Sequence, residues 1–326
     1  MASPNSTFTE LVSTTFRNHR SELADNVSKN NALYNQMTKK DRIDLLSGGI
    51  SIAVPLEYAS NGTYQRYSGY DVLNIQASDV ISAAEYQWKQ VAVNVTASGL
   101  ELRNNAGKEQ IIKLVKARVK NAMHSFGNGL SLDLYSDGTA TNQIGGLQAI
   151  VADAGTGTVG GIDSSSFAFW QNQVQSAAAP LQGGAGITPS ATTIESLMLP
   201  LYLSLTRGSD QPDLIVMSND YFTFFEQSQT SIKRYTDADK AQAGFISLKY
   251  KMADVVFDGG SLGGGIPAAH AYFLNTNYLG LSVHRDANMT EIPELRSVNQ
   301  DAVVIPVLWQ GNLVCSNRSL QGVMKA

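Results

Sequence analysis

The chain is poor in cysteine and in charge. Its 326 residues contain one cysteine, Cys315, so no disulfide can form within the chain and no cysteine pair is present to hold zinc. Charged residues make up 16% of the sequence, below the roughly one quarter that is usual in globular proteins. Because charges are depleted at the core of interfaces, this shortage is a first indication of a surface that neighbouring subunits cover.

The sequence also has no net positive charge, no recognisable signal peptide and no membrane-spanning apolar run. The formal net charge of −4 argues against a dedicated nucleic-acid-binding protein, which would usually be basic. The stretch MASPNSTFTELVSTTFRNHR lacks the apolar region of a signal peptide, and no apolar run approaches the length of a membrane span. We therefore expect the protein to fold in a reducing cytoplasm, with Cys315 as a small buried hydrophobe.

No constellation of side chains predicts a catalytic centre. Neither a nucleophile elbow nor a phosphate-binding loop is present. Asp213, Asp220 and Asp258 lie near the ends of predicted strands, where α/β enzymes often place acids, but acids there are also common as caps and turn formers. The sequence thus predicts no catalytic residue, no cofactor and no metal. Metal-ligand spacing is absent from the four histidines, which are His19, His124, His270 and His284.

One motif suggests a nucleotide. Gly155, Gly157 and Gly160 in AIVADAGTGTVGGID match the dinucleotide-binding pattern G-x-G-x-x-G. That pattern needs a helix starting at the third glycine and an acid about 20 residues later. Serines and Asp163 follow instead, and residues 176–190 contain no acid. We interpret the motif as a glycine-rich turn, and a soluble nucleotide-binding α/β enzyme that uses residues 155–160 is the alternative.

Two N-terminal regions have too little apolar surface for a core of their own. Residues 6–46 are predicted to be helical but weakly apolar, which is typical of an arm that lies on something else. The runs 50–58 and 86–96 alternate like half-buried strands. We expect them to pair as an extended β-arm whose long, tyrosine-bearing tip is residues 59–85 and which rests on a partner.

The strongest predicted helix is residues 108–126. Ile111, Val115, Val119 and Met123 form an apolar stripe, and NGLSLDLYSD after Gly127 is compatible with an extension. The basic residues on another face could contact DNA or could simply be solvated; they are Lys113, Lys116 and Lys120.

The rest of the chain is predicted to be mixed α/β. A helix over 192–207, kinked by Pro200, precedes a buried strand at 213–218. The stretch ADVVFDGGSLGGGIPAAHAYFLN predicts two strands around a glycine-rich turn. The C-terminal run is read as strand, turn and strand, with the turn at residues 310–312.

This order of elements resembles the major capsid proteins of tailed bacteriophages, which have the Hong Kong 97 type fold. GISIAVPLEY and YQWKQVAVNV resemble the paired strands of the family's extended loop, and GKEQIIKLVKARVKNAMHSFGNGL resembles its long spine helix. IGGLQAIVADAGTGTVGGIDSSSFAFWQNQ is similar to the stretch that enters the axial domain. Three stretches resemble the sheet of that domain: DLIVMSNDYFTFF, DVVFDGG and AYFLNTNYLGL. The closing strands of the family are similar to AVVIPVLWQGNLVCSNRSLQGV.

The resemblance implies an α+β fold with four parts. These are an N-terminal arm (1–47), an extended β-hairpin loop (48–98), a peripheral domain with the spine helix (99–140 and 291–326) and a mixed α/β axial domain (141–290). It also implies a structural protein, not an enzyme, which self-assembles into hexamers and pentamers of an icosahedral phage head enclosing double-stranded DNA. The expected location is the capsid shell of the virion, assembled in the host cell cytoplasm.

The implied partners are copies of the chain itself, a portal protein, a separate scaffolding protein and packaged DNA held by weak, non-specific contact, with no membrane. Some relatives cross-link their subunits through a lysine in the extended loop, but residues 59–85 contain no lysine, so we expect that chemistry to be absent. Others carry a long N-terminal scaffolding segment. Here only residues 1–47 precede the extended loop, hence the expectation of a separate scaffold.

The predicted subunit contacts are in the tip of the β-arm. Tyr64, Arg66, Tyr67 and Tyr70 lie close together in a segment that has no core of its own. Tyrosine and arginine are enriched in interface hot spots because each combines a large contact area with polar reach. We expect this cluster to dock on the adjacent subunit, with Arg66 meeting an acid there; the alternative is a mobile, solvent-exposed loop.

Overall fold

A computed structural model describes residues 32–99, 108–229, 247–258, 265–292, 295–296 and 301–326, without the side chains of 108–117, 247, 291 and 295–296. The described residues form five α-helices: α1 (Ala32–Lys39), α2 (Lys108–Leu134), α3 (Leu147–Ile150), α4 (Ile194–Ser204) and α5 (Asn219–Ser228). Their strands are β1 (Ile43–Leu46), β2 (Ser51–Glu57), β3 (Ile81–Gln87), β4 (Lys89–Ser98), β5 (Thr158–Val159), β6 (Ile162–Asp163), β7 (Gln173–Ser176), β8 (Leu214–Met217), β9 (Ser247–Tyr250), β10 (Ala253–Phe257), β11 (His270–Leu274), β12 (Leu279–Glu291), β13 (Leu295–Arg296), β14 (Ala302–Cys315) and β15 (Gly322–Lys325).

The first large sheet is built around β14. This strand pairs with β4 along one edge and with β12 and β13 along the other, and β1 adds to β12 in parallel. The predicted turn at residues 310–312 is wrong, because β14 runs straight through it. Gly311 is needed for close packing: a Cβ there would lie 2.6 Å from the carbonyl oxygen of Ser282 and 2.8 Å from the ring of Trp309.

The long helix α2 packs against this sheet. Val119 and Met123 are buried with Val95, Val303 and Ile305 of the sheet, which confirms the described part of the predicted stripe. The helix continues past the glycines that follow residue 126, to Leu134. It does so because its apolar face continues in buried residues four positions apart, which are Phe126, Leu130 and Leu134. At 1.5 Å per residue, α2 is roughly 40 Å long.

The second large sheet has six strands in the order β7, β15, β11, β8, β10 and β9. The predicted helix over 192–207 and the buried strand at 213–218 are confirmed as α4, with Pro200 inside it, and β8. Both α4 and α5 pack on this sheet in one apolar cluster. The two strands predicted around a glycine-rich turn are β10 and β11, but they do not pair with each other, because β8 lies between them.

Strand pairing does not follow the predicted domain boundaries at every point. The last strand, β15, pairs with β7 and β11 in the six-stranded sheet, although residues 291–326 were assigned to the domain of the long helix. Conversely, β12 belongs mostly to the range 141–290 but pairs with β14 in the other sheet. The boundaries themselves stay a prediction.

Residues 32–46 belong to the chain's own core, so the expectation that the whole segment 6–46 lies on something else is wrong for them. Leu33 and Met37, one helical turn apart, are fully buried, and β1 pairs with β12. The few large apolar residues suffice because they share one face of α1. Residues 1–31 lie outside the described part of the chain.

Two carboxylates at opposite ends of the parallel strands β8 and β10 hold the two ends of α1. Asp258 is buried, and it accepts hydrogen bonds from the backbone N–H groups at the start of the helix and from the hydroxyl of Tyr135 at 2.5 Å. At the other end, Lys40 pairs with Asp213. An acid at a helix N-terminus satisfies free N–H groups and complements the helix dipole.

The buried carboxyl of Asp258 predicts a specific pH dependence of stability. Burial raises its pKa above the usual range, and the hydrogen bonds from Tyr135 and the backbone only partly oppose this. At pH values between the ordinary and the raised pKa of Asp258, the folded state therefore holds a proton that the unfolded state has lost. Stability must fall as pH rises through that window.

Urea denaturation at a series of pH values tests this. Asp258→Asn keeps an acceptor but does not titrate, so wild type should lose stability relative to this variant as pH rises from acid toward neutral. Asp258→Ala, which removes the acceptor, should be less stable at every pH by about 1–3 kcal/mol. Parallel curves for wild type and Asp258→Asn would contradict the assignment.

Candidate functional site

The extended hairpin consists of β2 and β3, which pair antiparallel from Ser51 with Gln87 to Glu57 with Ile81. The predicted partner of the first strand, 86–96, is therefore wrong. Most of that run is β4, which pairs with β14 instead. The sequence of β3, ISAAEYQ, has small residues and only a weak strand pattern, whereas VAVNV in β4 has a strong one. The stronger pattern belongs to the more regular sheet.

The tip of the hairpin, residues 58–80, is held together by polar contacts. The amide of Tyr58 donates to the carbonyl of Val80 at 3.0 Å and closes the base of the tip. Further out, the side chain of Gln65 donates to the carbonyl of Val72 at 3.0 Å and accepts from the amide of Asn74 at 3.2 Å. The tip therefore has a defined shape without an apolar core.

All four predicted contact residues lie exposed on this tip: Tyr64, Arg66, Tyr67 and Tyr70. The structure adds an apolar group that the sequence analysis missed, namely Val72, Leu73 and Ile75, with Val72 and Ile75 each 91% exposed. The signal was available in the stretch DVLNIQ, which places large apolar residues in a region predicted to have no core. We refer to these seven residues as the tip cluster.

The base of the hairpin is tied to the body through β3. The backbone N–H of Glu85 donates to the carbonyl of Gly160 at 2.9 Å. The hydroxyl of Tyr86 donates to the carbonyl of Cys315 at 2.9 Å and accepts from its backbone N–H at 3.2 Å. Cys315 is fully buried, and burial raises the pKa of its thiol to about 12, which keeps it an unreactive packing residue.

The glycine-rich motif forms a turn and not the start of a helix. Gly155, Gly157 and Gly160 all have positive φ, and the turn at Gly160 joins β5 to β6 in a small two-stranded hairpin. The N–H groups of a helix N-terminus, which a pyrophosphate requires, are therefore absent from this position. This supports the interpretation of a glycine-rich turn.

A buried cation lies beside the glycine-rich turn and bonds it to the body. Arg318 is fully buried, and its guanidinium donates to the carbonyl of Gly157 at 3.3 Å and to the hydroxyl of Ser164 at 3.0 Å. Burial lowers the pKa of Arg318, because removal from water disfavours its charge. Its other hydrogen bonds go to oxygens of Ile150, Trp170 and Asn172. Sequence patterns gave no indication of this residue.

The acids at strand ends make structural contacts or are exposed, and none forms a catalytic group with another described side chain. Asp213 accepts from the backbone N–H and hydroxyl of Thr276 at 2.8 and 2.6 Å in addition to pairing with Lys40. Asp258 caps α1, and Asp220 lies exposed in the first turn of α5. Within the described residues, no three His, Cys, Asp or Glu side chains are grouped to hold a metal ion. No helix there has both the length and the apolarity to cross a bilayer.

The predicted basic face of α2 is only partly described. Lys120 is exposed, which is compatible with the prediction. The side chains of Lys113 and Lys116 lie outside the described residues, so contact with DNA stays a prediction.

Comparison with known proteins identifies the fold. The sequence matches no family model and no curated protein. Among solved structures, the capsid asymmetric unit of cyanophage A-1(L) is similar over 86% of this chain and 89% of that chain, with a TM-score of 0.62 and 16% identity. The capsid of the native GTA particle covers 88% of each chain with a TM-score of 0.54 and 13% identity. A chain of Mycobacterium phage Bobi covers 88% of this chain and 89% of that one, with a TM-score of 0.54 and 10% identity.

Each of these likenesses covers 86–88% of this chain. At 10–16% identity they report on the fold and not on chemistry. The chain has the Hong Kong 97 type fold of phage capsid proteins.

Proposed function

We propose that this chain is the major capsid protein of a tailed bacteriophage, a structural subunit that assembles with copies of itself into a closed icosahedral shell. The observation that carries the proposal is the tip cluster on a chain with a capsid-type fold. Seven side chains with large apolar surfaces or strong hydrogen-bonding groups lie on a segment that the described part of the chain leaves exposed. Such a surface is typical of a contact that another subunit completes.

Burial of the tip on a neighbour provides a driving force for assembly. Each fully buried large apolar side chain contributes roughly 1.5–3 kcal/mol, from which the cost of ordering the contact must be subtracted. The internal hydrogen bonds of Gln65 reduce that ordering cost because they shape the tip before it binds. Arg66 is the only Lys or Arg in residues 58–80, so an acid on the neighbour would fix the orientation of the contact.

The finer parts of the proposal concern the partners. The shell consists of hexamers and pentamers, and it encloses double-stranded DNA that is held by weak, non-specific contact. The basic face of α2, with Lys113, Lys116 and Lys120, is the surface proposed for that contact. Separate scaffolding and portal proteins take part, and assembly takes place in the host cell cytoplasm.

The alternative function, a nucleotide-binding enzyme that uses residues 155–160, receives no support from the geometry. The carbonyl of Gly157 points at a guanidinium, and the motif lacks its helix. That guanidinium is fully buried and donates to protein oxygens, so it is not accessible to a pyrophosphate, and no helix N-terminus replaces it.

The tip cluster predicts a sharp effect of substitution on assembly. Arg66→Ala with Tyr67→Ala should leave the stability of the unassembled subunit nearly unchanged, because both side chains are exposed and exposed substitutions usually cost little. Particle formation should nonetheless drop strongly, since the contact recurs throughout a closed shell. Sedimentation velocity at equal protein concentration and salt measures the particle fraction.

The matched control is Arg66→Lys with Tyr67→Phe, which keeps the positive charge and the ring and should retain most of the particles. If the double-alanine variant gives the same particle peak as wild type, the tip is not an assembly contact. Equal losses in both variants would show that the effect does not come from the charge and the ring.

The nucleotide alternative predicts ligand-dependent stability. A ligand that binds only the folded state, present at 100 times its Kd, stabilises by about 2.7 kcal/mol and raises the melting temperature by several degrees. We expect no shift with NAD or ATP over the millimolar range, measured by scanning fluorimetry. A saturable increase would overturn the structural assignment of the glycine-rich turn.

A further inference from the structure

The extended hairpin is anchored to the body by apolar packing of both of its strands and by polar contacts of β3. Three successive residues of β3 make polar contacts with the body: Glu85 with Gly160, Tyr86 with Cys315, and Gln87, whose carbonyl accepts from the side chain of Asn312 at 2.8 Å. The other strand, β2, is held by burial of Ile52 and Leu56, and two clefts of about 600 and 290 Å³ border its remaining surface. The polar anchoring of the hairpin is therefore concentrated on β3.

The segment that leads into β2 contains two consecutive glycines with positive φ. Gly48 and Gly49 have φ values of 146° and 117°, and no Cβ is present there to limit rotation. The indole of Trp88, just after β3, donates to the carbonyl of Gly49 at 2.9 Å. This bond joins the segment before β2 to the segment after β3. Beyond these glycines, the direction of the hairpin therefore depends on the surface of the body against which β2 and β3 pack.

The turn at Gly160 packs directly against β3. A Cβ at Gly160 would lie 2.8 Å from the Cβ of Ala84 and 3.2 Å from the ring of Tyr86. Ala84 is fully buried, so the two backbones touch with no space between them. The hydrogen bond from Glu85 to Gly160 lies at the same point and depends on this close approach.

Arg318 fixes this turn to the body. It holds the carbonyl of Gly157 and the hydroxyl of Ser164, which flank the small hairpin of β5 and β6 on both sides. The same guanidinium bonds the carbonyl that ends α3, at Ile150. The buried charge of Arg318 therefore holds in place the turn on which β3 packs.

We propose that the Gly160 turn is a seat that sets the direction of the extended hairpin, and that Gly160 is a positioning residue for the contact that the tip makes with a neighbouring subunit. The second half of this statement rests on the proposed function, and the first half does not. The seat works because only a glycine lets β3 approach the turn closely enough for the bond between Glu85 and Gly160.

The chain offers a matched pair of substitutions to test the seat. Gly160 and Gly161 have similar positive φ values, 57° and 76°, so an alanine strains the backbone comparably at either position. Only at residue 160 does the new methyl group meet β3, because no atom lies within 4 Å of a Cβ at residue 161. A difference between the two variants therefore reports on the contact and not on turn strain.

Hydrogen exchange followed by mass spectrometry on the full chain is the measurement. Gly160→Ala should speed exchange in peptides covering Glu85 by about tenfold or more, since local opening governs the exchange of that amide, while peptides from β8 and β11 keep wild-type rates. Gly161→Ala should match wild type throughout. Adding Ala84→Gly to Gly160→Ala should restore part of the protection.

A second variant approaches the contact from the other side, in case Gly160→Ala does not fold. Ala84→Val adds bulk against Gly160 without changing the turn, and it should also speed exchange at Glu85. Equal exchange in the two glycine variants, or wild-type exchange in Ala84→Val, would contradict the proposal that the Gly160 turn supports β3.

Particle yield separates this inference from the proposed function. If both hold, Gly160→Ala lowers the yield of particles and Gly161→Ala does not. If wild type forms no particles at all, the proposed function and the positioning role fail together, while the exchange measurement still decides whether the seat exists.

Discussion

Arg318 places a positive charge inside the protein, and all of its described hydrogen bonds go to neutral oxygens of the backbone and of Ser164 and Asn172. A buried charge is costly unless its surroundings satisfy every donor. The chain between residues 150 and 172 must therefore run past the guanidinium in one particular path, and the turn conformations of Gly155 and Gly157 make that path available. Loss of the arginine would remove its donors from the buried oxygens of Ile150, Trp170 and Asn172, whereas the carbonyl of Gly157 would still accept from Ser164.

The fixed loop connects the rigid part of the molecule to the projecting part. Its small hairpin supports β3, and Tyr86 joins β3 to the end of β14, the central strand of the first sheet. The extended hairpin thus begins on a well-packed base and ends in a tip without a core. A subunit with this arrangement can present the same contact in every copy, which is what a closed shell requires of its components.

Regular elements with strong patterns could be predicted from the sequence. The stripe that includes Val119 and Met123 identified the long helix, and the uninterrupted apolar run of β8 identified a buried strand. The exposed position of Tyr64, Arg66, Tyr67 and Tyr70 also followed from the absence of a local core.

The errors have a common physical origin in contacts between residues far apart in sequence. The local sequence predicts a turn at Gly311 because it does not show the packing of this residue against Ser282 and Trp309. The partner of β2 was misassigned because β3 owes its conformation to Gly160 and Cys315 and not to its own propensity. The buried position of Arg318 could not be predicted, because the five residues that accept its hydrogen bonds are about 145 to 170 positions away in the sequence.

Electron cryo-microscopy of the purified, assembled protein tests the central claim most directly, namely that the chain is a shell subunit whose tip is completed by a neighbour. The account predicts closed particles in which residues 58–80 of each copy lie on an adjacent copy and bury Val72 and Ile75. A protein that stays a small oligomer under all assembly conditions, or particles in which the tip remains in solvent, would contradict it.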